Sequence, residues 1–426
     1  MAREPSSVPL VAIAADAISR PRFTALPPLA LYVHIPWCMK KCPYCDFNSH
    51  TAPAEIPEDA YVDALVADLE VALPSVWGRK VGTVFIGGGT PSLFSASAID
   101  RLLSAVRARI PLVPDAEVTL EANPGTFERE KFAGYFAAGV NRLSLGIQSF
   151  DDGFLRALGR VHDGDEARRA AEAALMIFGN VNLDLMFALP RQTVADARRD
   201  VASALQFAPP HLSFYQLTLE PNTQFHRYPP PLPDDELAAD IEEVVLQQLG
   251  AAGYAHYETS AHAKPSRECR HNVNYWRFGD YLGIGAGAHS KLSFPDRIIR
   301  QMRWKQPRQY ADGVARGEPL QEDFEIANRD LPFEFMLNAL RLTEGVPTSL
   351  YGERTGTPLS NASRMIALAT ENGLLSPDPA VLKPTALGRR FLNDLQQIFL
   401  ADAPRTGVIA HAAPQRVVLQ PPAPSR

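Results

Sequence analysis

The chain has 426 residues, 46% of them hydrophobic, which is enough for one large α/β domain plus a smaller one and speaks against global disorder. A formal charge of -6 at pH 7 gives no polyanion-binding signal, so nucleic acid is not an expected partner; four cysteines in so long a chain make no disulfide framework and suit the reducing cytoplasm. No apolar run reaches the ~18 residues needed to span a bilayer, so the protein is expected to be soluble, with at most peripheral membrane contact, as a monomer or homodimer.

Residues 1–28 are expected to form a flexible tail, since Glu4 and Asp16 flank or interrupt a mildly apolar stretch and weaken a leader reading. From Ala30 onward, β-rich runs alternate with helical patterns. Strands are predicted over 31–35, 83–87, 117–121, 142–147, 182–187 and 212–219, and helices over 58–73, 96–109, 164–177 and 194–207, with apolar residues three and four apart. Six such units fall short of a closed eight-fold barrel and predict an α/β fold with an open, partial (β/α)6 barrel over 29–322. A Pro-rich turn at 228–233 precedes a predicted helix over 234–249, and β-like runs at 254–259 and 281–286 are expected to cap the open side. Beyond Asp323 come predicted helices over 331–342, 359–372 and 385–400, read as a compact C-terminal winged-helix-like domain (323–402) with a packing role, then a Pro- and Ala-rich disordered tail over 403–426.

The strongest chemical signal is Cys38, Cys42 and Cys45, spaced Cys-x3-Cys-x2-Cys just after the first strand. Three thiolates on one loop can hold three corners of a [4Fe-4S] cube and leave the fourth iron open to a non-protein ligand. Two other readings use the same residues. A structural zinc site would want a fourth Cys or His at matched spacing, and Cys42-Pro43-Tyr44-Cys45 alone resembles a dithiol redox site.

Further polar signals fall where strands end, the usual place for active-site groups in such barrels. Gly87-Gly88-Gly89-Thr90-Pro91 is expected to expose backbone N–H groups to a ligand, and without a following Gly-Lys-Ser/Thr it is no P-loop. Glu121, Gln148 and Asp184 are polar groups in apolar strands, each with a structural alternative, and Arg160 could pair with a ligand carboxylate. Gly283-Ile284-Gly285-Ala286-Gly287-Ala288 fits a dinucleotide pattern only superficially, lacking the acidic partner. Cys269 and His271-Asn272-Val273-Asn274-Tyr275-Trp276 crowd thiol, imidazole, phenol and indole into one loop, a candidate haem contact or a chance cluster of core aromatics.

The cysteine loop with Tyr44, followed by Gly87-Gly88-Gly89-Thr90-Pro91, resembles the radical S-adenosylmethionine (SAM) enzymes, so the fold implied is a radical SAM barrel. His34-Ile35-Pro36-Trp37-Cys38 and Cys45-Asp46-Phe47-Asn48-Ser49 resemble the HemW haem chaperones, relatives of the oxygen-independent coproporphyrinogen III dehydrogenase HemN, over roughly 28–400. The resemblance implies that Cys38, Cys42 and Cys45 hold [4Fe-4S], whose open iron binds SAM, and that one electron cleaves SAM to methionine and a 5'-deoxyadenosyl radical. By position it implies SAM contacts at Tyr32, Gly88, Gly89, Thr90, Glu121, Gln148, Arg160 and Asp184. It also implies haem contacts at Cys269, His271, Tyr275 and Trp276. HemN-type enzymes carry a further Cys where this chain has Phe47, so the implied function is delivery of haem to haem-dependent, respiratory proteins. Oxygen-independent coproporphyrinogen III oxidation is the alternative.

Overall fold

The computed structural model describes residues 20–125 and 128–400; the C-terminal tail expected over 403–426, and residues 1–19 of the N-terminal one, lie outside the described residues. Six strands run side by side in chain order, each parallel to its neighbour: β1 (Leu29–Ile35), β2 (Val81–Gly88), β3 (Leu112–Ala122), β4 (Arg142–Gln148), β5 (Val181–Phe187) and β6 (His211–Gln216). Parallel neighbours need long crossovers, supplied by α1 (Glu58–Ala72), α2 (Ala96–Arg109), α3 (Glu128–Ala138), α4 (Gly164–Ile177) and α5 (Val194–Gln206), with α6 (Asp235–Ala251) after β6. Their starts are written locally: capping boxes at Asp163 and Thr193 satisfy the first N–H groups of α4 and α5, and the Ser95 hydroxyl accepts from the Ala98 N–H at α2. Leu31 and Val33 of β1, Val84 of β2 and Leu143 of β4 share one core with Leu65 of α1, Ile99 of α2, Ala170 of α4 and Val201 of α5, so the apolar set of each strand faces its helix.

The two runs expected as caps extend the sheet at opposite edges instead. The hairpin β7 (Ala255–Glu258) and β8 (Ala261–Ala263) adds antiparallel to β6. A short helix, α7 (Arg270–Trp276), follows, and then β9 (Asp280–Ile284) adds parallel to β1. Three unforeseen antiparallel strands, β10 (His289–Phe294), β11 (Arg297–Arg303) and β12 (Leu320–Glu325), complete a 12-stranded sheet in the order β12-β11-β10-β9-β1-β2-β3-β4-β5-β6-β8-β7. The expected boundary at 323 falls inside β12.

The C-terminal unit has its own core of Phe335, Met336, Tyr351, Leu375 and Phe399, built on α8 (Leu331–Ala339), α9 (Ser349–Thr355) and α10 (Ser363–Glu371), with Val346–Pro347 paired to Val381–Leu382 as a minimal wing. The helix predicted over 385–400 is two pieces, Ala386–Arg390 and Leu392–Gln397, broken at Phe391. Part of the expected N-terminal tail is tied to this unit: the Arg22 N–H donates to the Gly356 carbonyl at 2.8 Å, and Phe23 packs on its core.

Candidate functional site

Side chains alternate across a strand, so residues out of step with the apolar set turn into the barrel. Here they are mostly polar. Tyr32 on β1, Glu121 on β3, Arg142, Ser144 and Gln148 on β4, Asn182 and Asp184 on β5, and His211, Ser213 and Tyr215 on β6 line one cavity of about 520 Å³. That volume is typical of a small-molecule site. Cys38, Cys42 and Cys45 line its mouth, where the strands end, while His271, Asn272 and Tyr275 of α7 line its floor, where they begin. Six residue steps from Arg142 to Gln148 put about 20 Å between floor and mouth.

The cysteine loop is braced at its base. Trp37–Cys38 pairs with His50–Thr51, the Ala52 N–H donates to the Cys38 carbonyl at 2.8 Å, and Asn48 Nδ2 donates to the carbonyls of Ala286 and Lys305, each at 2.9 Å. The three thiols are free and half-buried, and burial pushes those of Cys38 and Cys45 up, so a cation is needed to stabilise their thiolates. Among the described residues, no three His, Cys, Asp or Glu side chains close around a single-ion site. Arg160 lies beside the loop, with Nη1 at 3.7 Å from Cys42 Sγ and Nη2 donating to Asn123 Oδ1 at 2.6 Å and the Gly146 carbonyl at 2.8 Å; its Nε has no partner.

The glycine turn differs from expectation. The N–H groups of Gly88, Gly89 and Thr90 do not face a ligand: they donate to Glu121 Oε2, the Ile35 carbonyl and the Trp37 carbonyl. Glycine is required by close packing, since a Cβ on Gly88 would lie 2.6 Å from the His34 ring and one on Gly89 2.6 Å from the Trp37 carbonyl oxygen. Thr90 is buried and its hydroxyl accepts from Asn123 Nδ2 at 2.9 Å. Gln148 ends β4 at φ 67°, a left-handed conformation uncommon outside glycine and enriched at functional sites.

Asp184 accepts from Ser144 Oγ and Asn182 Nδ2, both at 2.8 Å, yet burial still raises its pKa. Burial, with the Asp184 charge second, pushes Glu121 up to about 8. Two carboxyls on one wall thus hold back negative charge that a cation in the cavity would release. Tyr32, whose OH lies 3.0 Å from His34 Nδ1, is raised by burial first and Glu121 second.

Cys269, His271, Tyr275 and Trp276 are separated by the fold. His271 is 1% exposed, with Nδ1 2.8 Å from Thr83 Oγ1 and Nε2 buried without a partner. Burial and the nearby Arg142 charge hold it down to about 3, so it is neutral at ordinary pH. Tyr275 also faces the cavity and packs edge-on against Tyr281, ring centres 4.3 Å apart. Cys269 does not line the cavity: its buried thiol points at Glu117 Oε1, 3.7 Å away, and burial raises it to about 12. Trp276 turns to the C-terminal core, with the Arg341 guanidinium 4.3 Å over its ring. Arg142, Asn182 and His211 were not anticipated. The missed signal is the period-2 register itself, because Arg142 stands six residues before Gln148 and Asn182 two before Asp184.

Residues 32–204 match the radical SAM superfamily and residues 326–391 the HemN C-terminal domain. Over 379 residues the chain is 49% identical to Heme chaperone HemW of Escherichia coli, covering 88% of this chain and 99% of that one. The chain belongs to the HemW family. A second HemW, from Haemophilus influenzae, is 48% identical over 383 residues, again 88% of this chain and 99% of its own. Coproporphyrinogen III oxidase HemN from Escherichia coli, a radical SAM enzyme of known structure, is similar at a TM-score of 0.75 with 25% identity, covering 88% of this chain and 90% of that one. HemW-family membership in the radical SAM superfamily implies a [4Fe-4S] cluster and SAM. The residues present fit such a cluster: three free thiols share one braced loop at the mouth of a ligand-sized cavity, and the fourth cysteine is sequestered at the far end. Phe47, beside the third cysteine of the loop, is 62% exposed. Among the described residues no helix is long and apolar enough to cross a membrane.

Proposed function

We propose that this chain is a cytoplasmic haem chaperone that takes haem into its barrel and passes it to haem-dependent respiratory proteins, with the cluster and SAM at the mouth controlling transfer. The observation that supports it most is His271, whose Nε2 is buried, unpartnered and neutral beside the cavity, in a chain about half identical to proteins named as haem chaperones. Neutral imidazole is the form that ligates iron.

In this reading Cys38, Cys42 and Cys45 hold [4Fe-4S], which supplies one-electron reducing chemistry to SAM when both are bound. Tyr32, Gly88, Gly89, Thr90, Glu121, Gln148, Arg160 and Asp184, all lining the cavity, would hold SAM. The Glu121 and Asp184 carboxyls would offset the positive charge of SAM, and Arg160, with Nε open, would suit its carboxylate. Tyr275 flanks haem. Cys269 and Trp276 act indirectly, by holding α7 and the C-terminal unit in place.

Spectrophotometric haem titration tests the assignment. Wild type and Cys269→Ala are expected to give a stable adduct with a Soret band, while His271→Ala loses it; an adduct insensitive to His271 would defeat the reading. The oxidase alternative draws on the likeness to HemN. It predicts anaerobic conversion of coproporphyrinogen III with SAM and a reductant, and Phe47 argues for no product.

A further inference from the structure

Arg142 opens β4 at the cavity floor and is 2% exposed, among the largest fully buried side chains of the protein. The buried ion pairs belong to other cations: Arg79 and Lys291 with Asp280, Arg303 with Asp68, Arg341 with Glu258. Among the described residues Arg142 makes no ion pair, and its Nε is buried without a hydrogen-bond partner. The carboxylates nearby are spoken for. Glu117 accepts the backbone N–H groups of Arg270 and His271 at 3.2 and 3.0 Å, and Asp184 is held by Ser144 and Asn182. A guanidinium, permanently charged, is among the most costly groups to bury unpaired. Packing does not require it, because an apolar side chain of similar volume would fill the same space without that cost. Burial opposes its charge, and Cys269, Glu117, Tyr257 and Asp184 around it outweigh that on balance, yet none of them touches the guanidinium; a partner in direct contact would enter by the cavity it lines. His271, with its open Nε2, lines the same cavity, whereas Asn182 Nδ2 is already bonded to Ser144 and Asp184, and both His211 nitrogens to Asn182 Oδ1 and the Tyr257 hydroxyl.

We propose that Arg142 is the anchor of a carboxylate subsite at the barrel floor, separate from the cysteine mouth, which takes the acidic group of a ligand reaching down the barrel. A planar fork of donors matches a carboxylate in two-point fashion. The proposal rests on the haem-chaperone reading for the ligand's source, a haem propionate. A small free carboxylate would present the same chemistry.

The test compares wild type, Arg142→Met and Arg142→Lys with three probes: haem, haem dimethyl ester, which lacks the free acids, and glutarate. Wild type is expected to bind haem at least tenfold more tightly than the ester, and Arg142→Met to bind the two alike. Arg142→Lys, retaining charge without the fork, is expected to fall between them. Because nearby Glu117 and Asp184 favour the replaced charge, the ligand-free melting temperature of Arg142→Met is measured alongside, and a cooperative transition shows that lost binding is not lost folding. If wild type binds neither porphyrin but is stabilised by glutarate in an Arg142-dependent way, the subsite stands and the haem reading fails. The proposal is overturned if haem and ester bind wild type equally and glutarate does not stabilise it. It is equally overturned if Arg142→Met retains both acid-dependent effects, or melts several degrees lower with unchanged binding.

Discussion

Gly88 illustrates how a single residue holds the mouth of the barrel in shape. It sits at φ 116° with its N–H on Glu121, and the His34 ring occupies the space a Cβ would need. His34 in turn carries the loop, because its Nε2 meets the Asn48 carbonyl at 2.8 Å. Gly88→Ala combines an unfavourable backbone conformation with a clash against an aromatic ring, and is expected to cost about 2–3 kcal/mol in denaturant unfolding. The same substitution should reduce iron retention after reconstitution, by displacing His34 and the loop it supports. A variant with native stability and full iron content would contradict this account. The glycines are easy to notice in the sequence, but their reason is not: the triplet looks like a ligand cradle, and only the packed His34 and Trp37 reveal a steric requirement.

At the scale of the element, α7 is the informative case. It has only seven residues and no side-chain cap of its own at Cys269, so its first N–H groups depend on Glu117 from β3. A carboxylate at a helix N-terminus satisfies the orphan donors and complements the dipole. Glu117→Gln keeps the size and removes the charge, at an expected cost of about 1–2 kcal/mol. Hydrogen exchange at Arg270 and His271 should then accelerate about tenfold or more, since each 1.4 kcal/mol of local opening energy is a factor of ten. Unchanged exchange would show that α7 is held by its aromatic contacts instead. The six barrel strands and most of their helices were legible because apolar spacing is a local property. The outer strands β10 and β11 were not. Lys291, Arg300, Gln301 and Arg303 interrupt any apolar pattern there, yet Lys291 and Arg303 are buried on Asp280 and Asp68, carboxylates supplied by other segments.

For the whole molecule, the balance of buried ionisable groups sets a pH window. Burial holds His34, His162, His211, His256, His262, His271 and His289 below their ordinary range, to about 4 for His34 and His162 and about 3 for His262 and His271. Below pH ~6.5 the unfolded chain binds protons at these rings that the folded chain refuses, so they contribute stability that is lost as pH falls. Buried carboxyls act in the opposite sense. Glu121, raised to about 8, and Asp200, raised to about 6, bind protons in the folded state that the unfolded state has released, and Asp184, Glu242 and Glu258 are raised as well. Seven histidines outnumber five carboxyls below pH 6.5, whereas the raised carboxyls dominate from 6.5 until Lys291, lowered to about 8 by burial, begins to offset them. Stability of the cluster-free protein is therefore expected to peak near pH 6.5. On the alkaline side Glu121 contributes a decline of about 1.4 kcal/mol per pH unit. Denaturant midpoints across pH 4.5–8 check this, and Glu121→Gln should flatten the alkaline limb; a monotonic rise through pH 8 would refute it.

What the sequence by itself determined is the thiol loop, the order of six strand–helix units and the family resemblance, because each depends on short spacings within a continuous stretch. It also marked His271, Tyr275 and Trp276 as a unit, though not where each would face. Only the tertiary structure decided that His271 and Arg142 share a cavity with Cys38, Cys42 and Cys45, while Cys269 and Trp276 turn away from it. The physical reason is that the cavity is formed by one face of every strand at once. Which residues meet across it depends on the register between strands and on where α7 docks, and neither is encoded in any single segment.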